Sequence, residues 1–140
     1  MKNLTIIPLL AVLVLALAAC GGDDKEKAAL TKACPTARPR MKSTPTLPGK
    51  FPNIEGIVYT GVGKQGPATV ATGYIAKAVG PAHEAYSNAV KGTAGYSVTK
   101  DEQDAADAEV NFTGAGNSGQ VKLLQTCKRR TQVTITIRPA

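Results

Sequence analysis

Apolar and polar side chains alternate in several short runs of the chain. The alternation is regular over residues 108–113 and 132–138, and residues 121–124 follow it except at Leu124. Successive side chains of a β-strand point to opposite faces, so this period predicts an antiparallel sheet with one buried and one solvated face. Runs rich in Val, Thr and Tyr predict two earlier strands, at residues 57–62 and 68–75, and a short strand follows at residues 96–99.

A helical period lies between these strands. Apolar residues recur three or four positions apart at Ala82, Ala85, Tyr86, Ala89 and Val90. Pro81 suits the first turn of a helix and Glu84 complements its positive start, while Gly92 or Gly95 is suited to ending it. Residues 24–33 predict a second, short helix ahead of the strands.

The connections are predicted as a hairpin at residues 63–67, a loop at 114–119 and a turn at 128–130. The acidic stretch over residues 101–107 predicts an exposed turn or a single helical turn. Two strands, a helix and then several strands predict an α+β fold. We expect a two-layer sandwich, in which one main helix packs on one face of an antiparallel sheet of five to six strands.

The beginning of the chain has the organisation of a secretory signal. Lys2 precedes a mainly apolar run over residues 4–16, which is shorter than the roughly 20 apolar residues of a transmembrane helix. The run ends in Leu17-Ala18-Ala19-Cys20, which resembles the lipobox of bacterial lipoproteins. An ordinary signal peptide or an uncleaved apolar anchor is the alternative.

The lipobox resemblance implies cleavage before Cys20, a lipid on the Cys20 thiol and a position on the extracytoplasmic side of the cell membrane. Two or more acyl chains hold a protein durably on a bilayer. Residues 1–19 are then the signal peptide. Residues 20–52, rich in Gly, Asp, Lys, Thr and Pro, predict a lipidated stalk, and residues 53–140 predict a single small domain.

The remaining two cysteines form an even pair if Cys20 carries lipid. Disulfides persist in an oxidising extracytoplasmic compartment, so we expect Cys34 and Cys127 to bond to each other. Two free thiols or half of a metal site are the alternatives. Neither cysteine lies in a CxxC motif, and His83 is the only histidine, which disfavours a metal.

Positive charge is the main indication of a partner, since the formal net charge is +7. The expected disulfide would bring two basic groups together, namely Arg38, Arg40 and Lys42 with Lys128, Arg129 and Arg130. Such a patch attracts anionic lipid headgroups or cell-wall polymers. Charges that only maintain solubility and protect strand edges are the alternative. Export and the scarcity of aromatic residues argue against nucleic acid.

Three patterns resemble catalytic or cofactor sites. Residues 61–66 match GxGxxG, but Pro67 and a β-rich run follow where a dinucleotide site needs a helix, so hairpin glycines are favoured. His83 has Ser87 four residues later without a recognisable nucleophile motif, and we expect an exposed first-turn histidine. The carboxylates of residues 101–109 do not match the spacing of a calcium loop and predict a solvated turn.

We therefore expect no enzymatic activity, no cofactor and no metal. The exported domain, with Ala94-Gly95-Tyr96 and a terminal Thr-Ile-Thr-Ile-Arg strand, resembles small uncharacterised lipoproteins of high-GC Gram-positive bacteria, a resemblance that implies no activity. We expect a membrane-anchored envelope lipoprotein that acts as a binding module for an envelope protein or an anionic cell-wall polymer. A small extracytoplasmic hydrolase using His83 and residues 101–109 is the alternative.

Overall fold

The computed structural model describes residues 22–140, and their side chains from residue 27 onward. The predicted signal peptide and Cys20 lie outside the described residues. The elements are α1 (Gly22–Thr31), a 3-10 turn (Pro48–Lys50), β1 (Ile57–Gln65), β2 (Ala68–Ile75), α2 (Val79–Gly92), β3 (Tyr96–Gln103), β4 (Asp107–Gly114), β5 (Asn117–Cys127) and β6 (Arg130–Pro139). Neither helix in this part of the chain is long and apolar enough to cross a bilayer.

The six strands form one antiparallel sheet in the order β1-β2-β6-β5-β4-β3. Every neighbouring pair except β2 and β6 is consecutive in the sequence. Helix α2 leaves β2 and contacts β6, β5, β4 and β3 on its way to the far edge of the sheet. The predicted α+β fold, with one main helix packed against an antiparallel sheet of six strands, is confirmed.

The period of two in the strands decides which face is buried. In β6, Val133, Ile135 and Ile137 are almost completely buried, whereas Thr134 and Thr136 between them are only half-buried. We call the face that carries the buried residues, and that α2 covers, the inner face, and the opposite one the outer face. Helix α2 presents an apolar stripe to the inner face, consisting of Val79, Ala82, Tyr86 and Val90.

Residues 35–54, which we call the strap, wrap around the β1 edge of the sheet. On the outer face, the carbonyl of Pro35 accepts a hydrogen bond from Arg130 at 2.7 Å. At the edge, the backbone N–H of Met41 donates to the carbonyl of Tyr59 at 2.7 Å. The strap then enters the core on the inner face, where Leu47, Phe51 and Ile54 are buried.

Phe51 is the centre of the strap's contact with the sheet. Its ring centroid lies 4.5 Å from that of Phe112 and 5.8 Å from that of Tyr96. The Tyr96 hydroxyl donates to the carbonyl of Gly49 at 3.0 Å. Gly49 has a φ of +64°, and a Cβ there would lie 2.5 Å from the Tyr96 hydroxyl oxygen, so this close turn requires glycine.

The packed region consequently begins before residue 53. The segment expected to be a stalk contributes Leu47 and Phe51, which are 3% and 2% exposed, to the core. These residues stand singly among Pro, Thr, Gly and Lys, so no period of two or 3.6 marks them in the sequence.

Two predicted connections are shorter than expected. Residues 101–103, the first part of the acidic stretch, belong to strand β3 instead of a turn. The turn starts at Asp104, whose N–H donates to the carbonyl of Asp107 at 2.8 Å. The predicted loop at residues 114–119 is a tight turn at Ala115 and Gly116, because β5 already begins at Asn117.

Candidate functional site

Cys34 and Cys127 form the predicted disulfide. Cys127 is completely buried at the end of β5, and the N–H of the next residue, Lys128, donates to the carbonyl of Lys32 at 2.9 Å. Helix α1 also contacts β5. The disulfide therefore fixes the beginning of the strap beside the turn between β5 and β6.

Arg38 and Arg130, two of the basic residues expected to meet, line one cleft on the outer face. We call this the strap cleft, because residues 35–38 of the strap form its wall, and its volume is about 230 Å³. Its floor belongs to β1, β2, β5 and β6. The polar side chains that line the floor are Thr60, Thr72, Tyr74, Thr126, Arg130 and Gln132. No described Asp or Glu lines the cleft.

Arg130 is held in a defined position within the strap cleft. Its Nη1 donates to the Pro35 carbonyl at 2.7 Å, and its Cζ lies 5.4 Å from the centroid of the Tyr74 ring, within cation–π range. A guanidinium carries five N–H donors in a fixed plane. One hydrogen bond to Pro35 thus orients the group and leaves other donors for a ligand.

The other four basic residues of the predicted patch do not join this cleft. Arg40 and Lys42 line a separate depression along the β1 edge, beside Val58 and Tyr59. Lys128 and Arg129 are exposed at the turn between β5 and β6. The structure therefore brings two of the six predicted residues together. The other four are distributed over the strap and the adjacent turn between β5 and β6, which together we call the strap side.

Acidic residues concentrate at the opposite edge of the sheet. Strands β3 and β4 and their turn carry Asp101, Glu102, Asp104, Asp107 and Glu109. The ion pairs among the described residues lie on this side and include Lys100 with Glu102 at 2.8 Å. None of the six patch residues has a described carboxylate partner. Five of the ten acidic residues of the sequence thus lie at the edge of the sheet away from the strap.

His83 differs from the sequence expectation. Its side chain is only 15% exposed, and its Nε2 forms a hydrogen bond with Asp101 Oδ1. Ser87 donates to the other oxygen of Asp101 at 2.6 Å, and the Lys91 ammonium lies 3.1 Å from that oxygen. The three donors are spaced four residues apart on α2, so they form one stripe that holds β3 against the helix.

This cluster has a different arrangement from a serine hydrolase triad. In a triad, the serine is hydrogen-bonded to the histidine that removes its proton. Here the Ser87 hydroxyl donates to Asp101, and His83 is bonded to the same carboxylate. The cluster connects a helix to an edge strand, which is a structural role.

Hydrogen bonds set the direction in which the pKa of Asp101 is shifted. Burial raises its pKa, but the hydrogen bonds from Ser87, Lys91 and His83, with the charge interaction with His83, lower it by more. The pKa of Asp101 therefore lies below its ordinary value. The carboxylate form is the one that the cluster stabilises.

The remaining candidate motifs lie in a hairpin and in strands of the sheet. Gly61 and Gly63 lie in β1 and Gly66 lies in the turn to β2, so residues 61–66 form a hairpin. Among residues 27–140, no three His, Cys, Asp or Glu side chains converge as metal ligands do. Glu109 accepts a hydrogen bond from Gln120 at 2.9 Å and lies 3.4 Å from the Lys122 ammonium.

Sequence reasoning missed the uncharged half of the strap cleft. Thr72 and Tyr74 alternate with buried residues in β2, and Gln132 does so in β6, so their period already placed them on the solvated face. What the sequence lacked was the strand order that makes β2 and β6 neighbours. Comparison with protein-family models, curated proteins and solved structures finds no match to this chain.

Proposed function

We propose that this chain is a lipoprotein anchored through Cys20 on the extracytoplasmic side of the cell membrane, and that its domain binds an anionic polymer of the cell envelope. The observation that carries the binding proposal is the separation of charge. Basic residues without described carboxylate partners lie along the strap side, whereas five of the ten acidic residues lie on β3, β4 and the turn between them. Such a field attracts polyanions to one side of the molecule.

The position of the disulfide supports this proposal. Cys34 follows Cys20 by only fourteen residues, and most of those residues belong to α1, which contacts β5. A lipid on Cys20 would hold the domain, a two-layer sandwich of helix and sheet, close to the bilayer. The exposed Lys128 and Arg129 would then lie near the anchored end, where basic residues interact with anionic groups most strongly.

The anchor is tested by metabolic labelling. Growth of an expressing bacterium with an alkyne-bearing fatty acid should label the wild-type protein in the membrane fraction. The Cys20→Ser variant should be unlabelled and leave that fraction, while Cys34→Ser should remain labelled. Labelling of the Cys20→Ser variant would contradict the anchor.

The binding proposal is tested with two double variants that remove the same charge. Lys128→Ala with Arg129→Ala removes two basic residues from the strap side, and Lys100→Ala with Lys122→Ala removes two from the acidic side. At about 1 kcal/mol per residue, the first pair should weaken binding to poly(glycerol phosphate) roughly thirtyfold and reduce its salt dependence.

The second pair should leave that affinity unchanged or slightly weaker. Equal losses in both variants would show that net charge alone governs binding, and would contradict a directed surface. The hydrolase alternative has no comparable support, because His83 and Ser87 are both bonded to Asp101.

A further inference from the structure

The wall and the floor of the strap cleft are held in place by bonds within the protein itself. The disulfide at Cys34 fixes one end of its wall, and the hydrogen bond from Arg130 to Pro35 fixes the next residue. Its floor consists of paired strands. A site whose walls are already ordered loses little conformational entropy on binding, so even a small ligand can be held there.

The charges that line the cleft select an anion. Arg38 and Arg130 both line it, and no described carboxylate does. Arg130 is oriented by Pro35 and by the Tyr74 ring, so its planar donors have a fixed direction. Guanidinium groups bind phosphate through two parallel hydrogen bonds, which a flexible lysine does not provide.

The uncharged side chains select hydroxyl groups beside the anion. The Thr60 and Thr72 hydroxyl oxygens lie 3.4 Å apart on the floor, and the Thr126 hydroxyl donates to the Arg130 carbonyl at 3.3 Å. The Tyr74 hydroxyl and the Gln132 amide form no hydrogen bond with another described residue and also line the cleft. Hydroxyl and amide groups both donate and accept, as the hydroxyl groups of a polyol require.

The size of the cleft limits the ligand. Pockets for drug-sized molecules span about 300–1,000 Å³. A volume of about 230 Å³ fits one small unit, with room for a phosphate and a short polyol. Longer ligands would continue out of the open side, past the exposed Arg38.

We infer that the strap cleft binds a single polyol phosphate unit, either from a phosphate-bearing polymer or from a glycerophospholipid headgroup. This inference rests on the proposed function and specifies the ligand of that surface. Arg38 and Arg130 hold the phosphate, and Thr60, Thr72, Tyr74 and Gln132 contact the polyol.

The inference is tested by titrating the full exported protein, in nanodiscs of neutral phosphatidylcholine, with glycerol 3-phosphate, inorganic phosphate and glycerol. Calorimetry should show that glycerol 3-phosphate binds more tightly than either of the others. Arg38→Ala should weaken its binding about tenfold through loss of a charge-assisted contact. Thr72→Val keeps the branched shape of the side chain. It should weaken the binding of glycerol 3-phosphate about threefold and leave the binding of inorganic phosphate unchanged.

Arg138→Ala is the matched control, because it removes the same charge from an exposed position near the end of β6, outside the cleft. It should leave glycerol 3-phosphate binding unchanged. Equal effects of Arg38→Ala and Arg138→Ala would overturn the inference, as would equal affinities for glycerol 3-phosphate and inorganic phosphate.

The two sources are distinguished by competition. Displacement of glycerol 3-phosphate by soluble poly(glycerol phosphate) identifies a polymer, and a weaker apparent affinity in nanodiscs that contain phosphatidylglycerol identifies a headgroup. Polymer binding that persists without any binding of glycerol 3-phosphate would overturn the inference and leave the proposed function standing. Absence of polymer binding by the wild-type protein would overturn the proposed polymer function itself, whether or not glycerol 3-phosphate binds.

Discussion

Ser87 on α2 donates a hydrogen bond of 2.6 Å to Asp101 on the edge strand β3. Ser87 is 5% exposed, so removing its acceptor leaves a buried hydroxyl without a partner. We expect Asp101→Ala to lower the free energy of unfolding in urea by about 1–3 kcal/mol. Asp104→Ala, in the exposed turn that follows, should change it by less than about 0.5 kcal/mol. Equal effects would contradict a role for the cluster in stability.

The same contact predicts a dependence on pH. The pKa of folded Asp101 is depressed below its ordinary value of 3.8. A carboxylate of this kind contributes its full stabilisation above the unfolded pKa, and the contribution is lost as the pH falls through the folded pKa. The difference in unfolding free energy between wild type and Asp101→Ala should therefore shrink from about pH 5 towards about pH 2. A difference that stays constant over that range would exclude the ionised contact.

The strap is predicted to be part of the folding unit. Truncating Phe51 to Ala removes the ring that packs on Phe112 and Tyr96, and should cost about 3–5 kcal/mol. Val62→Thr, at a position 43% exposed in β1, should change the unfolding free energy by less than about 0.5 kcal/mol. Denaturation of both variants, followed by circular dichroism, tests this. A Phe51→Ala variant as stable as wild type would mean that the strap does not contribute to the core.

The disulfide should provide much of the stability of so small a domain. Cys34 and Cys127 are separated by 93 positions, and closing a loop of that length stabilises by about 4–5 kcal/mol in the chain-entropy model. We expect reductant to lower the denaturation midpoint of the wild type strongly. It should have no effect on the Cys34→Ser, Cys127→Ser double variant, which already has the lower midpoint. An unchanged wild-type midpoint under reductant would contradict the expectation.

Tyr86 is a position where a substitution should increase the stability of the protein. Its hydroxyl is buried and has no hydrogen-bond partner among the described residues, and burial beside Tyr59 raises its pKa. Tyr86→Phe should stabilise the protein by about 1 kcal/mol or more, because it removes an unsatisfied polar atom. Tyr59→Phe should destabilise it by about 0.5–1.5 kcal/mol, because the Tyr59 hydroxyl donates to Asn53 at 2.5 Å. A loss of stability in Tyr86→Phe would contradict the first expectation.

The fold class followed from the sequence because the strands alternate so regularly. Val133, Ile135 and Ile137 mark the inner face by position alone, and the helical spacing around Tyr86 marks α2 equally well. The extension of β3 through residues 101–103 was missed because charged side chains on both faces of an exposed edge strand hide the period of two.

The candidate site was only partly predictable, since it depends on contacts distant in the sequence. The Cys34–Cys127 pairing followed from cysteine usage, and it led to the expectation that Arg38 and Arg130 meet. Asp101 and His83 are eighteen residues apart on different elements, and their pairing depends on how α2 crosses the sheet. A stripe of polar residues at positions 83, 87 and 91 was the available sign of that contact.

The position of β6 has a consequence for the order of events during biosynthesis. This strand is the last of the six to leave the ribosome, yet it lies in the middle of the sheet between β2 and β5. Until it arrives, the β1–β2 hairpin and the β3–β5 meander have no strand to join them, because every other pairing is local. The complete sheet can therefore assemble only after β6 has been synthesised, in whatever order the hairpin and the meander form.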